Sequence, residues 1–249
     1  MNTATIFENF ELPSKGLVYN TEINPRITLR SMTTLEEMRR LSPTDTPYKV
    51  MCDIIEDCMK DKPAVHVYDM ILGDYQFLLH KLRVVSYGPD YKMLVKCNTC
   101  KTATESIANL DTLAVKEYTT DIIKQKLITL PKTNRQIVLR FQTPHDLDQI
   151  AYLSSEMKKK TKQNLDYSIL YTLISLIEKV DGQILDSVSA EEFVKSLPSR
   201  DANYILNCAT KLSSSIGVDN EVTIKCSNCG EEMRIPFRIT PEFFGPTID

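Results

Sequence analysis

Apolar positions along this chain follow two periods, and the order in which those periods alternate is used twice. The opening segment Phe7-Glu8-Asn9-Phe10-Glu11-Leu12-Pro13 runs into a Ser14-Lys15-Gly16 turn, and Ile27-Thr28-Leu29-Arg30 then alternates as a short strand. Thr33 with Glu36 three residues on is a capping box. It predicts a helix in which Leu35, Met38 and Leu41 share helical spacing, ended by Pro43 and Pro47. From Val50 to Met59 the residues Val50, Met51, Ile54, Ile55, Cys58 and Met59 keep a helical period with acids between them, which places Cys58 in the core. Tyr75, Leu78, Leu79, Leu82 and Val85 mark a further amphipathic helix, closed by Gly88-Pro89.

The same order then restarts. Leu130-Pro131 repeats Leu12-Pro13, Ile137-Val138-Leu139-Arg140 repeats the short strand, and Thr143-Pro144 with Asp146 repeats the cap. A shift of 110 positions relates the two capped helices. Further along, a shift of 129 carries Tyr75 to Tyr204, Gly88 to Gly217, Asp90 to Asp219 and Cys97 to Cys226, so the second half holds 129 − 110 = 19 more residues in its middle. That middle contains Lys158-Lys159-Lys160-Thr161-Lys162, read as a solvated face with anion binding as the alternative. A helical run from Tyr167 to Ile177 follows, then a helix capped by Ser189 with Glu192. Ile205, Cys208, Ala209, Leu212 and Ile216 form the last apolar stripe before Gly217.

Each half reaches a cysteine turn, Lys96-Cys97-Asn98-Thr99-Cys100 and Lys225-Cys226-Ser227-Asn228-Cys229-Gly230, flanked on both sides by strand-like residues. Two C-x-x-C turns supply four thiolates, which suits a closed tetrahedral zinc shell with no open position for water. A disulfide framework belongs to secreted chains, and Met1 to Phe10 has no signal-like apolar core. A thioredoxin-like redox pair would sit where a strand enters a helix, whereas these turns lie between strands. The expectation is one structural zinc on Cys97, Cys100, Cys226 and Cys229. The fold class that follows is α+β, mostly helical. Two similar lobes from an internal duplication, residues 1–115 and 116–249, share a four-stranded zinc ribbon with four cysteine ligands, the second lobe carrying the C-terminal tail.

Composition narrows the function. The 249 residues are 42% hydrophobic and 25% charged, which describes an ordinary folded chain, and a net charge of −3 gives no push toward nucleic acid or anionic membrane. No apolar run approaches the roughly 18 to 20 residues that span a bilayer. His66, His80 and His145 are scattered, and the 7 glycines form no phosphate-cradling cluster, so the reading is of a protein that is not an enzyme, with no catalytic residue.

The ordered set Glu11-Leu12-Pro13-Ser14-Lys15-Gly16, Leu29-Arg30 with Thr33 and Glu36, Ser86-Tyr87-Gly88, the two cysteine turns and Pro241-Glu242-Phe243-Phe244-Gly245-Pro246 resembles the baseplate hub assembly proteins of T4-type tailed bacteriophages. The resemblance covers nearly the whole chain and is strongest to the hub assembly factor. It implies a late, non-catalytic role in virion assembly in the host cytoplasm, as a chaperone that helps the hub form and departs or as a small hub component. Its partners would be hub proteins and the tape-measure protein. The alternative class is a zinc-ribbon nucleic-acid-binding accessory protein. The ribbon arms carry Lys92, Lys96, Lys101, Lys225, Arg234 and Arg238 against Glu105, Glu221, Glu231 and Glu232, a mixed face that gives it no support. In the tail, Phe237, Phe243 and Phe244 have two readings: rings folded back into the junction between lobe and ribbon, or rings that anchor a partner.

Overall fold

A computed structural model describes residues 7–161, 165–219, 221–236 and 241–244. Strands β1 (Phe7–Glu11) and β2 (Arg26–Arg30) pair antiparallel, and helices α1 (Thr34–Arg40), α2 (Pro47–Asp57) and α3 (Leu72–Tyr87) follow. Strands β3 (Asp90–Lys96) and β4 (Ala103–Asn109) form the first cysteine hairpin. Next come β5 (Val115–Lys116), α4 (Asp121–Gln125), β6 (Leu127–Thr129), β7 (Gln136–Leu139), α5 (Pro144–Thr161), α6 (Ser168–Leu176) and β8 (Ile177–Val180). Helices α7 (Ser187–Ser196) and α8 (Ser199–Ser213), strand β9 (Gly217–Val218) and the second cysteine hairpin, β10 (Glu221–Lys225) with β11 (Glu232–Pro236), complete the order. Among the described residues, 43% helix and 22% strand make this a mixed α and β protein rather than the mostly helical one expected.

Local chemistry sets the helix starts in matching ways in the two halves. The Thr33 amide and hydroxyl both bond the Glu36 carboxylate, whose other oxygen takes Arg30 Nη2 at 2.8 Å. At α5 the Thr143 amide and hydroxyl bond the Asp146 carboxylate, which takes Arg140 through both terminal nitrogens at 3.0 and 2.6 Å. The Arg30 amide donates to the Cys58 carbonyl just after α2, and the Arg140 amide to the Leu176 carbonyl at the end of α6. Each half therefore ties its strand, its capped helix and its next helix at one arginine.

A second matched device was not legible in the pattern. The turn after Leu12-Pro13 donates its Ser14 amide and hydroxyl to Asp74, and the turn after Leu130-Pro131 donates the Lys132 and Thr133 amides and the Thr133 hydroxyl to Asp201. Both acids are fully buried, and Lys15 and Asn134 turn the chain at φ 54° in each case. Asp74 near the start of α3 and Asp201 near the start of α8 thus hold the same kind of turn, at a shift of 127. Tyr75 and Tyr204, paired by the 129 shift, differ in exposure, 5% against 39%. The two-residue difference is taken up in the Ser214-Ser215-Ile216 turn ahead of Gly217.

Other differences have local causes. Pro47 opens α2 as its first residue, where the missing amide costs nothing. Asp186, not Ser189, caps α7, accepting from the Val188 and Ser189 amides. Ile177 leaves α6 and begins β8, which pairs with β7, so the predicted run to Ile177 joins a helix to an unforeseen strand. The Leu35, Met38 and Leu41 stripe faces outward, each residue more than 60% exposed. Lys158, Lys159 and Lys160 are exposed at the end of α5, and Lys162 lies outside the described residues.

Among the contacts between the halves, three set their fit. Asp148 of α5 accepts from the Tyr48 and Lys49 amides and the Tyr68 hydroxyl, capping α2 where Thr46 makes no side-chain cap. Strand β5 pairs with β9 across the seam. Beside it α3 approaches so closely that a Cβ on Gly73 would lie 2.4 Å from the Ile216 carbonyl oxygen, while Gly217 adopts φ 115°. Two apolar clusters result. One gathers most of the first half with Val222, Ile224, Met233, Phe243 and Phe244; the other gathers Ile71 with residues from Ile122 to Ile216. The second hairpin and the tail thus pack on the first half's core, and the aromatic rings of the tail are folded inward, Phe243 0% and Phe244 4% exposed. Phe237 and Pro246 lie outside the described residues.

Burial pushes the Glu36 carboxyl up, but the hydrogen bonds from Arg30 and Thr33 outweigh it and bring it down to about 2. A depressed carboxyl stabilises above its unfolded value, near 4.5, and loses that contribution as pH falls through about 2. Glu36→Gln should therefore cost about 2 to 3 kcal/mol at pH 6 in urea unfolding, with the difference from the parent closing toward pH 2. A cost independent of pH would show that the ion pair does not hold α1 in place.

Candidate metal centre

Each cysteine hairpin alternates inward and outward along its strands. Val95, Thr104 and Ala108 face in from the first, and Val222, Ile224 and Met233 from the second. The two inner faces lie on the same core, with β10 set against β4. They remain separate two-stranded sheets, so the expected four-stranded ribbon is two hairpins side by side, joined through side chains and the cysteine turns.

The turns are built alike. The Cys97 amide donates to the Thr102 carbonyl at 2.9 Å and the Lys101 amide to the Cys97 carbonyl at 3.0 Å. Their counterparts are Cys226 to Glu231 at 2.8 Å and Gly230 to Cys226 at 2.9 Å. This closure needs a left-handed residue four places after the first cysteine, met by Lys101 at φ 61° and Gly230 at φ 76°. The amides released by the turn point at sulfur. Those of Thr99 and Cys100 bond Cys97, that of Thr102 bonds Cys100, and the equivalent Glu231 amide bonds Cys229.

All four sequence-predicted thiols converge. The sulfurs of Cys97, Cys100, Cys226 and Cys229 lie within 4.8 Å of one another, with Cys97 to Cys229 and Cys100 to Cys226 each 3.7 Å apart. A tetrahedron with zinc–sulfur bonds of about 2.3 Å has edges of about 3.8 Å, so the spacing is compatible with one zinc ion at the centre. Cys97 and Cys226 are buried, Cys100 is partly covered and Cys229 is exposed. Cys52 and Cys58 are buried elsewhere, and burial pushes both thiols up, Cys58 to about 12, which leaves them as inert core residues.

The electrostatics of the cluster fit a cation. Hydrogen bonds from Asn228 and from the Thr102 side chain and amide hold the Cys100 thiol down to about 5, and the Cys100 and Thr99 amides lower Cys97. At Cys229 the Glu231 amide favours the thiolate, but desolvation and the three neighbouring sulfurs together push the thiol up to about 12. Four sulfurs this close cannot all carry charge by themselves. A dication removes that conflict and draws off the remaining protons. Asn228 and Thr102 were not singled out by sequence reasoning. The only signal for them is their place within and just after the cysteine turns.

The fold and cluster define a mixed α/β protein whose two halves each contribute one cysteine hairpin to a four-thiol site. Comparison with known families matches residues 5–245 to the family described as T4 bacteriophage base plate protein, and the chain belongs to that family. No curated protein and no solved structure matches it. Among the described residues no helix is long and apolar enough to cross a membrane.

The unequal left-handed residues give a direct test of the turn geometry. A Cβ at Gly230 would meet nothing within 4 Å, so the effect of substitution there is purely one of backbone conformation. Lys101→Gly should raise and Gly230→Ala should lower the stability of the zinc-loaded protein, each by about 1 kcal/mol in thermal unfolding. Equal or reversed signs would mean that the turns do not close this way.

Proposed function

We propose that this chain is a zinc-clasped assembly factor for the phage baseplate hub, acting as a chaperone toward hub and tape-measure proteins in the host cytoplasm. The observation that carries the reading is the base plate family match across nearly the whole chain. The paired hairpins support it, because a single zinc on Cys97, Cys100, Cys226 and Cys229 would make a rigid clasp with no open coordination site for catalysis. We also read the two halves as copies of one unit. Support comes from the matched arginine and threonine caps, the matched Asp74 and Asp201 turns and the matched cysteine turns.

A transient factor must bind an immature partner better than the finished assembly, and it needs an exposed surface to do so. The outward stripe of Leu35, Met38 and Leu41 on and just after α1 supplies one. Three large apolar residues in helical register stay in solvent at 64, 63 and 69% exposure, which is the kind of face an amphipathic partner helix covers. The hairpin faces mix Lys96, Lys225 and Arg234 with Glu105, Glu221 and Glu232, so nothing there favours nucleic acid.

The test is capture of phage hub and tape-measure proteins by the tagged chain during co-expression. The parent should retain a hub or tape-measure protein. A Leu35→Ser, Met38→Ser, Leu41→Ser variant should keep its melting behaviour, within about 0.5 kcal/mol, while capture falls at least about tenfold. Parent protein that captures neither hub nor tape-measure protein would overturn the reading.

A further inference from the structure

Arg83 lies on the inner side of α3, fully buried, and no carboxylate pairs with it among the described residues. Its Nε donates to the Phe243 carbonyl at 2.6 Å and its Nη1 to the Gly88 carbonyl at 2.9 Å. The Tyr87 ring lies 4.9 Å from the guanidinium carbon, and Nη2 is buried with no hydrogen-bond partner. Burying a cation without an anion is costly, so a ligand that brings an anionic acceptor to Nη2 removes that cost.

The geometry of the unpartnered donor defines that acceptor. Nε and Nη2 share one edge of the planar guanidinium, the fork that a carboxylate fills with two parallel hydrogen bonds. Here the fork holds one carbonyl oxygen. That carbonyl belongs to the residue whose ring fills the adjoining space: Phe243 is fully buried, 5.2 Å from His80, 5.7 Å from Tyr91 and perpendicular to Phe244 at 5.2 Å, while Arg40 lies over the Phe244 ring at 5.7 Å. A chain that ended in phenylalanine would offer the same ring and the same carbonyl carbon, with a second oxygen and a negative charge added.

We propose that the Arg83 socket is a receptor for the C-terminal aromatic carboxylate of a partner protein, and that the chain's own Pro241–Phe244 segment occupies it as a competing plug. At the Phe243 position one buried ring replaces another, and the second oxygen on Nη2 with the neutralised charge offsets the loss of the Phe244 ring from its place. Because the plug must leave first, the full chain binds more weakly than the open socket by the fraction of molecules in which the plug is out.

The test uses a fluorescein-labelled peptide of sequence Gly-Ser-Pro-Glu-Phe with a free C-terminal carboxylate, its C-terminal amide, and the full-length zinc-loaded chain. Anisotropy should show the acid bound and the amide at least about tenfold weaker, as expected for loss of a charged hydrogen bond. Amide hydrogen exchange at residues 242–244 should rise on binding the acid. Arg83→Lys, which keeps the charge and removes the fork, should bring the two peptides to within about twofold of each other. Phe244→Ala, which loosens the plug and leaves Arg83 intact, should tighten the acid peptide. Equal binding of acid and amide by the parent would overturn the proposal. So would binding of the acid with no change in exchange at residues 242–244, or binding at about 1 mM to neither the parent nor Phe244→Ala.

Discussion

Four sulfurs held within 4.8 Å are the constraint on which the rest of the molecule depends. They come from two hairpins far apart in the chain, and the turns that carry them are short, amide-lined and closed by their own backbone bonds. Without a cation the cluster is in conflict, with Cys100 held low and Cys229 pushed high. With one, the same hydrogen bonds that polarise the sulfurs orient them. A structural zinc contributes on the order of 10 kcal/mol in small zinc-binding peptides, comparable with the whole stability of a domain, so the clasp would outweigh any single contact at the seam.

Around that clasp, buried carboxylates do the positioning. Asp74 and Asp201 each fix a Leu-Pro turn to a helix, and Asp148 reaches from one half to cap a helix of the other. These acids are satisfied by backbone amides and hydroxyls, with no cation paired to any of them among the described residues, which is why they can be buried. Where a cation is buried instead, at Arg83, its partners are carbonyls, and the tail closes over it. The seam is finished by β5 against β9 and by backbone contact between Gly73 and Gly217, where a side chain would not fit.

Much of the site was legible in the sequence, because C-x-x-C spacing is fixed by metal geometry and does not depend on the rest of the fold. The caps at Thr33 and Thr143 were legible for the same reason, each being a local exchange of hydrogen bonds over three residues. What failed was whatever tertiary partners decide. Tyr75 and Tyr204 match as letters, but the acids just ahead of them set the helix register. Ile177 continues a helical period, yet pairing with β7 turns it into a strand. Leu35, Met38 and Leu41 keep their helical spacing, but spacing does not say which way a stripe faces, and the structure leaves this one in solvent.

The central claim is that one zinc ion closes both hairpins, and the metal content of the purified chain tests it most directly. Elemental analysis should give one zinc per chain, and Cys97→Ser and Cys226→Ser, one from each hairpin, should each remove it and lower the melting temperature together with it. Zinc retained in either variant, two zinc ions per chain, or none in the parent protein would contradict the shared site.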